Sequence, residues 1–196
     1  WSLAMAVEEP RYHLVRAYEA FELRRYEPYL VAETVVSAAP DEAGNQGFRI
    51  LAGYIFGQNK GARRIEMTAP VPRAQSRIAM TAPVAQRPVA GKWAISFMMP
   101  GSHTLETLPE PVDPAVVLRQ VPSRRVAAVR YSGFWSERRY QRNKAELDAW
   151  IKGQGLVIAG DPVWARYNPP FTPWFLRRNE ILIPVETDDR PSNPGL

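Results

Sequence analysis

The chain has 196 residues, enough for one full core or two small halves packed as one. Apolar residues make up 45% and charged residues 23%, an ordinary globular balance, and no apolar run approaches the ~18 residues of a membrane span. Cysteine is absent, which excludes disulfides and thiol chemistry, and the net charge of +5 is scattered as Arg pairs at 24–25, 63–64, 124–125, 138–139 and 177–178 among acidic residues, a solvated basic surface with no nucleic-acid stripe.

The opening WSLAMAVEEP lacks an initiator Met, and Ala4-Met5-Ala6 is a small-x-small triplet of the signal-peptidase type. Residues 1–6 are expected to be a signal-peptide remnant, which makes the protein periplasmic or exported; the alternative is a cytoplasmic protein with an ordinary start. From Tyr12 the pattern is strand-like. In FELRRYEPYLVAETVV, β-branched and aromatic residues alternate partly with charges, and Glu27-Pro28 interrupts them. That predicts two strands joined by a tight turn. Pro40 then opens a helix through DEAGNQGFRILAGYIFGQN, in which Phe48, Leu51, Ala52 and Ile55 form one stripe and Ile50 and Tyr54 a second line beside it. Gly44 and Gly47 each weaken this helix by about 1 kcal/mol relative to Ala, so packing must hold it.

Next come two nearly identical words, IEMTAPV and IAMTAPV. As strands they place Ile65, Met67 and Ala69 on one face, and Ile78, Met80 and Ala82 likewise. The intervening PRAQSR is long enough for a hairpin, and Pro70 and Pro83 end each word at an edge or bend. KWAISFMMP is a further strand, contributing Met98 and Met99. After the connector GSHTLETLPEPVDP the order recurs: VVLRQVPSRRVAAVRYSGF reads as two strands about a Val-Pro-Ser turn. Ser136 caps a helix with Tyr140, Leu147, Trp150 and Ile151 inward, Gly153 and Gly155 stop it, and VIAGDPVWARYNPP and NEILIPVE finish as strands. The expected fold is α+β: one domain over 7–187, a distorted antiparallel β-barrel from two strand-strand-helix-strand repeats (about 12–100 and 115–187), one helix on each half, and a flexible tail over 188–196. A closed barrel with polar helix surfaces predicts a monomer.

ELRRYEPYLVAETVV, FRILAGYIFGQN, the doubled MTAPV, KWAISFMMP, HTLETLPEP, RRVAAVRYSGFWS and ARYNPPFTPWFLRRNEILI together resemble a bacterial member of the SOUL, or heme-binding-protein, family from about Tyr12 to Val185. The resemblance implies a two-repeat barrel similar to bacterial effector-binding domains. It also implies non-enzymatic binding of heme, another porphyrin or a similar flat hydrophobic ligand in an apolar groove beside the first helix. On that model Phe48, Arg49, Leu51, Ala52, Tyr54, Ile55, Met67, Met80 and Met98 would line the groove, with Arg suited to the propionates. Some members carry a His before the Tyr of the strand motif, proposed as an iron ligand. This chain has Arg25 before Tyr26 there, and a guanidinium cannot ligate iron. His13 and His103 remain the candidate metal ligands. Much of the first helix is neutral, and the loop after the Pro-Pro pair offers Thr172 instead of a basic group.

Two alternatives accompany this reading. A small-molecule hydrolase, by fold analogy, would need a carboxyl with a raised pKa in the groove, for which Glu66, Glu106 and Glu180 are candidates by type. A ligand-free interaction module would use the basic face instead. RRNE, at 177–180, reads as an Arg–Glu pair tying the last strand to the barrel, and PPFTPWF as a plug over one barrel end. No catalytic residue is expected.

Overall fold

A computed structural model describes residues 8–60, 84–133, 136–167 and 177–187. Its elements in chain order are β1 (Tyr12–Tyr18), β2 (Phe21–Tyr26), β3 (Tyr29–Val36), α1 (Pro40–Ile55), β4 (Asn59–Lys60), β5 (Val84–Val89), β6 (Lys92–Met98), β7 (Glu110–Pro111), β8 (Val117–Val121), β9 (Arg124–Ser132), α2 (Glu137–Gly153), β10 (Val163–Arg166) and β11 (Arg178–Val185). Among the described residues nine strands form one sheet in the order β1-β2-β9-β11-β10-β5-β6-β3-β8, while β4 and β7 make a small separate ribbon. The pairings are antiparallel, and the sheet curls into a half-barrel carrying two helices, an α+β fold. The doubled MTAPV words and the PPFTPWF segment lie outside the described residues.

The turns expected at Glu27-Pro28 and Pro122-Ser123 do not close hairpins. β2 pairs with β9 and β3 pairs with β8, with Tyr26 facing Arg124 and Tyr29 facing Val121. The register is therefore the same on both sides of the two prolines: 21–33 and 117–129 form one long paired ribbon, bent at the same point. Pro28 and Pro122 have no N–H to give a ladder, so the ribbon can be interrupted there at little cost. Ser123 Oγ donates to Tyr26 O at 2.8 Å and fastens the corner. One arm of the ribbon thus lies near one rim of the sheet and the other arm at the opposite rim, which curls the sheet.

The helices share one side of this sheet. α1 begins at Ala39 with Pro40 in its first turn, where a missing N–H costs nothing. Its buried residues Ala43, Leu51, Tyr54 and Ile55 pack with Ala32, Ile95 and Phe97. A side chain at Gly47 would collide with Ile95, so glycine lets the helix settle onto β6. α2 is capped as expected, Ser136 Oγ accepting from Arg139 N at 3.4 Å. Leu147 and Ile151 are buried against Leu23, Ala127, Ile181 and Ile183, and Trp150 stacks on Phe21 at 5.6 Å. Gly155, at φ +70°, turns the chain out of the helix. A third cluster of Tyr26, Val126, Ala128, Val163, Ala165 and Leu182 lies on the helix-free face. At one rim, β1 pairs among the described residues only with β2, and its register shifts between Leu14 and Arg16. Among the described residues no helix is long and apolar enough to cross a membrane.

Candidate functional site

Alternation in β10 decides what stands beside α1. Val163 and Ala165 face the helix-free side, so Trp164 and Arg166 rise on the helix side. The Arg166 guanidinium carbon lies 4.4 Å from the centroid of the Trp164 ring, and Tyr140 of α2 meets that indole edge-on at 6.4 Å. On α1, a side chain at Gly44 would collide with the Arg166 guanidinium, so glycine is what admits it. Burial first, then the nearby charge of Arg177, lower the Arg166 pKa, while Tyr131 opposes this. The group nonetheless stays protonated at neutral pH. No carboxylate pairs with Arg166 among the described residues. A half-buried cation without a counter-charge is unfavourable, and an incoming anion would offset that penalty.

The α1 stripe divides between core and margin. Leu51, Tyr54 and Ile55 are buried under the helix, and Met98 at the end of β6. The Tyr54 hydroxyl donates to Pro109 O at 2.7 Å, and burial pushes its pKa up to about 12, so it is a neutral donor. Phe48 and Ala52 are half-buried, Phe48 lying edge-on to Phe97 at 5.5 Å, and Arg49 is exposed. Gly44, Phe48 and Ala52 share one side of the helix at i, i+4 spacing, the side that meets Arg166. Met67, Met80 and Glu66 lie outside the described residues.

The two histidines sit elsewhere. A cleft of about 620 Å³ opens where β3 starts, β6 ends and the 100–106 loop passes, and His103 lines it. His103 Nδ1 is 3.4 Å from Thr107 Oγ1, and exposed His13 places Nε2 3.1 Å from Oε1 of Glu27, another lining residue. Leu30, Met98, Met99 and Leu105 give the cleft apolar surface, but its charged lining is Glu8, Glu27 and Glu106 with Arg11. That acidic balance suits a dianionic ligand poorly. No group of three or more His, Asp or Glu able to hold a metal occurs among the described residues.

Glu180 lies on the helix-free face and is 0% exposed. Arg24 of β2 grips it with two bonds, 2.9 and 2.6 Å, and also donates to Tyr26 Oη at 2.9 Å and to Glu22 at 2.6 Å. Arg130 and Arg178 approach the same carboxylate at 3.3 and 3.6 Å. Burial alone would raise the Glu180 pKa, but the bonds and charge of Arg24, helped by Tyr167 and Arg178, outweigh it and hold the group at about 2. A carboxyl so held cannot serve as a general acid near neutrality, which removes Glu180 from the hydrolase candidates. Its principal partner is Arg24, not an arginine of its own RRNE word. The signal was in FELRRY, where alternation sets Glu22, Arg24 and Tyr26 on one face. Arg166 was also missed, although VWAR puts it beside Trp164 by the same rule.

The family model described as SOUL heme-binding protein matches residues 7–184. Heme-binding protein 1 of Xenopus laevis is 27% identical over 164 residues, 83% of this chain and 82% of that protein. Among solved structures, a hydrolase from Listeria innocua superposes with a TM-score of 0.58 at 14% identity, over 85% of this chain and 91% of its own. The EcmrR C-terminal domain gives 0.54 at 11% identity, over 85% and 97%. At such identities the structural likeness speaks for the fold alone, and the fold it speaks for is this antiparallel half-barrel with two helices. With the family match running through both arms of the bent ribbon and both helices, the chain belongs to the SOUL heme-binding protein family.

Proposed function

We propose that the protein binds heme or another tetrapyrrole as cargo, without covalent attachment or turnover, on the helix-bearing side of the sheet beside α1. Arg166 is the observation that carries this reading: a half-buried guanidinium, unpaired among the described residues, beside the Gly44–Phe48–Ala52 margin of the helix. A macrocycle laid against Phe48 and Ala52 would remove apolar area from water, contributing roughly 25 cal/mol per Å². A propionate would meet Arg166 as a charge-assisted pair. The family resemblance would add Met67 and Met80 to the lining, and both lie outside the described residues. Binding of this kind needs no axial histidine, and His13 and His103 belong to the cleft region instead.

Titration with hemin, followed by the Soret band and by tryptophan quenching, tests the reading. Wild type should saturate at micromolar hemin, and an unrelated Trp-containing protein should not. Arg166→Ala should weaken hemin about tenfold, since ~1.4 kcal/mol is one charge-assisted contact. Protoporphyrin dimethyl ester, which lacks the carboxylates, should bind both proteins alike. A wild-type titration no different from the control protein ends the proposal; an Arg166→Ala protein of unchanged affinity removes the site.

A further inference from the structure

We infer a second ligand site, on the opposite, helix-free face of the sheet, where Arg87, Arg119 and Arg124 converge to take a small carboxylate. The inference is independent of tetrapyrrole binding, because the sheet lies between the two places. A cavity of about 50 Å³ is bordered there by strands β2, β3, β5, β6, β8, β9, β10 and β11, and among the described residues its lining includes the three arginines and no carboxylate. Glu33 stands beside it and is shared by two of them: Arg87 at 3.1 Å and Arg119 at 2.8 and 3.2 Å. The third, Arg124, has a buried Nε with no hydrogen-bond partner among the described residues. Among the described residues, three guanidinium charges against one carboxylate leave an excess of positive charge at this end. Deeper on the same face, Arg24, Arg130 and Arg178 are met by Glu180, Glu22 and Glu9, so no such excess arises.

Size and lining select the ligand. A water needs roughly 10–15 Å³ of such space, so the cavity holds a carboxylate with a short carbon stem and nothing much larger. Arg pairs a planar carboxylate through its fork, and the Ser96 hydroxyl offers a further donor. The floor is apolar, formed by Val31, Met98, Val163, Ala165 and Leu182. A multiply charged phosphate would sit badly on that floor, whereas the methyl of acetate or the ethyl group of propionate would be buried by it.

Thermal unfolding and calorimetric titration of the whole chain with sodium acetate, propionate, butyrate and octanoate, against chloride at constant ionic strength, test the assignment. A saturable rise in Tm with carboxylates over chloride and inorganic phosphate is expected. An optimum at acetate or propionate identifies a free small acid, and affinity that climbs to octanoate identifies the head of a longer one. Arg124→Gln should weaken the response at least tenfold while hemin affinity stays unchanged. In wild type the Arg124 Nε–Hε resonance should move on saturation, a readout that does not depend on the variant's folding. The site is refuted if no carboxylate outperforms chloride, or if Arg124→Gln responds like wild type. Loss of hemin binding in that variant would merge the two sites and refute a separate one.

Discussion

Glu180 shows what one residue can decide. Two charges have been taken out of water, and only the close geometry of Arg24, Tyr167, Arg130 and Arg178 around the carboxylate makes that tolerable. Its folded pKa of about 2 lies below the usual carboxylate value of 4.5. The group therefore stabilises the fold above the unfolded value, and this contribution, about 3 kcal/mol, is lost as pH falls from about 5 through 2. Urea unfolding between pH 2 and 7 should show that acid limb in wild type. Glu180→Gln should be about 3–5 kcal/mol less stable at pH 7, because Arg24, Arg130 and Arg178 lose the buried carboxylate they share, and should be flatter over the acid range. Equal acid slopes in the two proteins would contradict this account. The RRNE word made the acid conspicuous in the sequence, but its partner lies 156 positions away on β2 and no local pattern announces the pairing.

Helix α1 was legible as a helix, but its period alone did not separate the residues under it from those at its margin. Its period exposed the stripe of Leu51, Tyr54 and Ile55, but a 3.6-residue period reports burial without saying whether a sheet or a ligand does the burying. The sheet does so here. Gly44 and Gly47 looked like weaknesses in the sequence; they are clearances, one for Arg166 and one for Ile95. The same helix offers a contrast. Gly47→Ala gains about 1 kcal/mol of helix propensity but drives a methyl into a packed branched side chain, which costs about 1–3 kcal/mol. Gly53→Ala would meet only the mobile end of Gln58. Thermal unfolding should find Gly47→Ala less stable than wild type and Gly53→Ala equal to it or up to about 1 kcal/mol more stable. The reverse order would mean that α1 does not seat on β6 as described.

At the scale of the molecule, the antiparallel α+β architecture could be read from hydrophobic alternation and the family resemblance, whereas the path of the chain could not. Glu27-Pro28 and Val-Pro-Ser have the composition of turns, and composition does not distinguish a strand that reverses from one that bends and continues. That distinction needs the partner strand, which is about a hundred residues distant. Since the bent ribbon runs through both helix-bearing halves, the halves should unfold together. Leu51→Ala under α1 and Leu147→Ala under α2 should each cost about 2–5 kcal/mol. In both variants far-UV dichroism and tryptophan fluorescence should lose signal at a single shared midpoint. Separate transitions would mean that the ribbon does not couple the halves.

The irregular rim formed by β1 has a consequence for life at high concentration. A straight, bare strand edge invites a neighbouring molecule to continue the hydrogen-bond pattern. Here the step between Leu14 and Arg16 breaks that line midway, and Arg16 is turned to Gln154 at 2.6 Å. The exposed Leu14, Val15 and Tyr18 are thus carried on a border too crooked to nucleate a growing stack of chains.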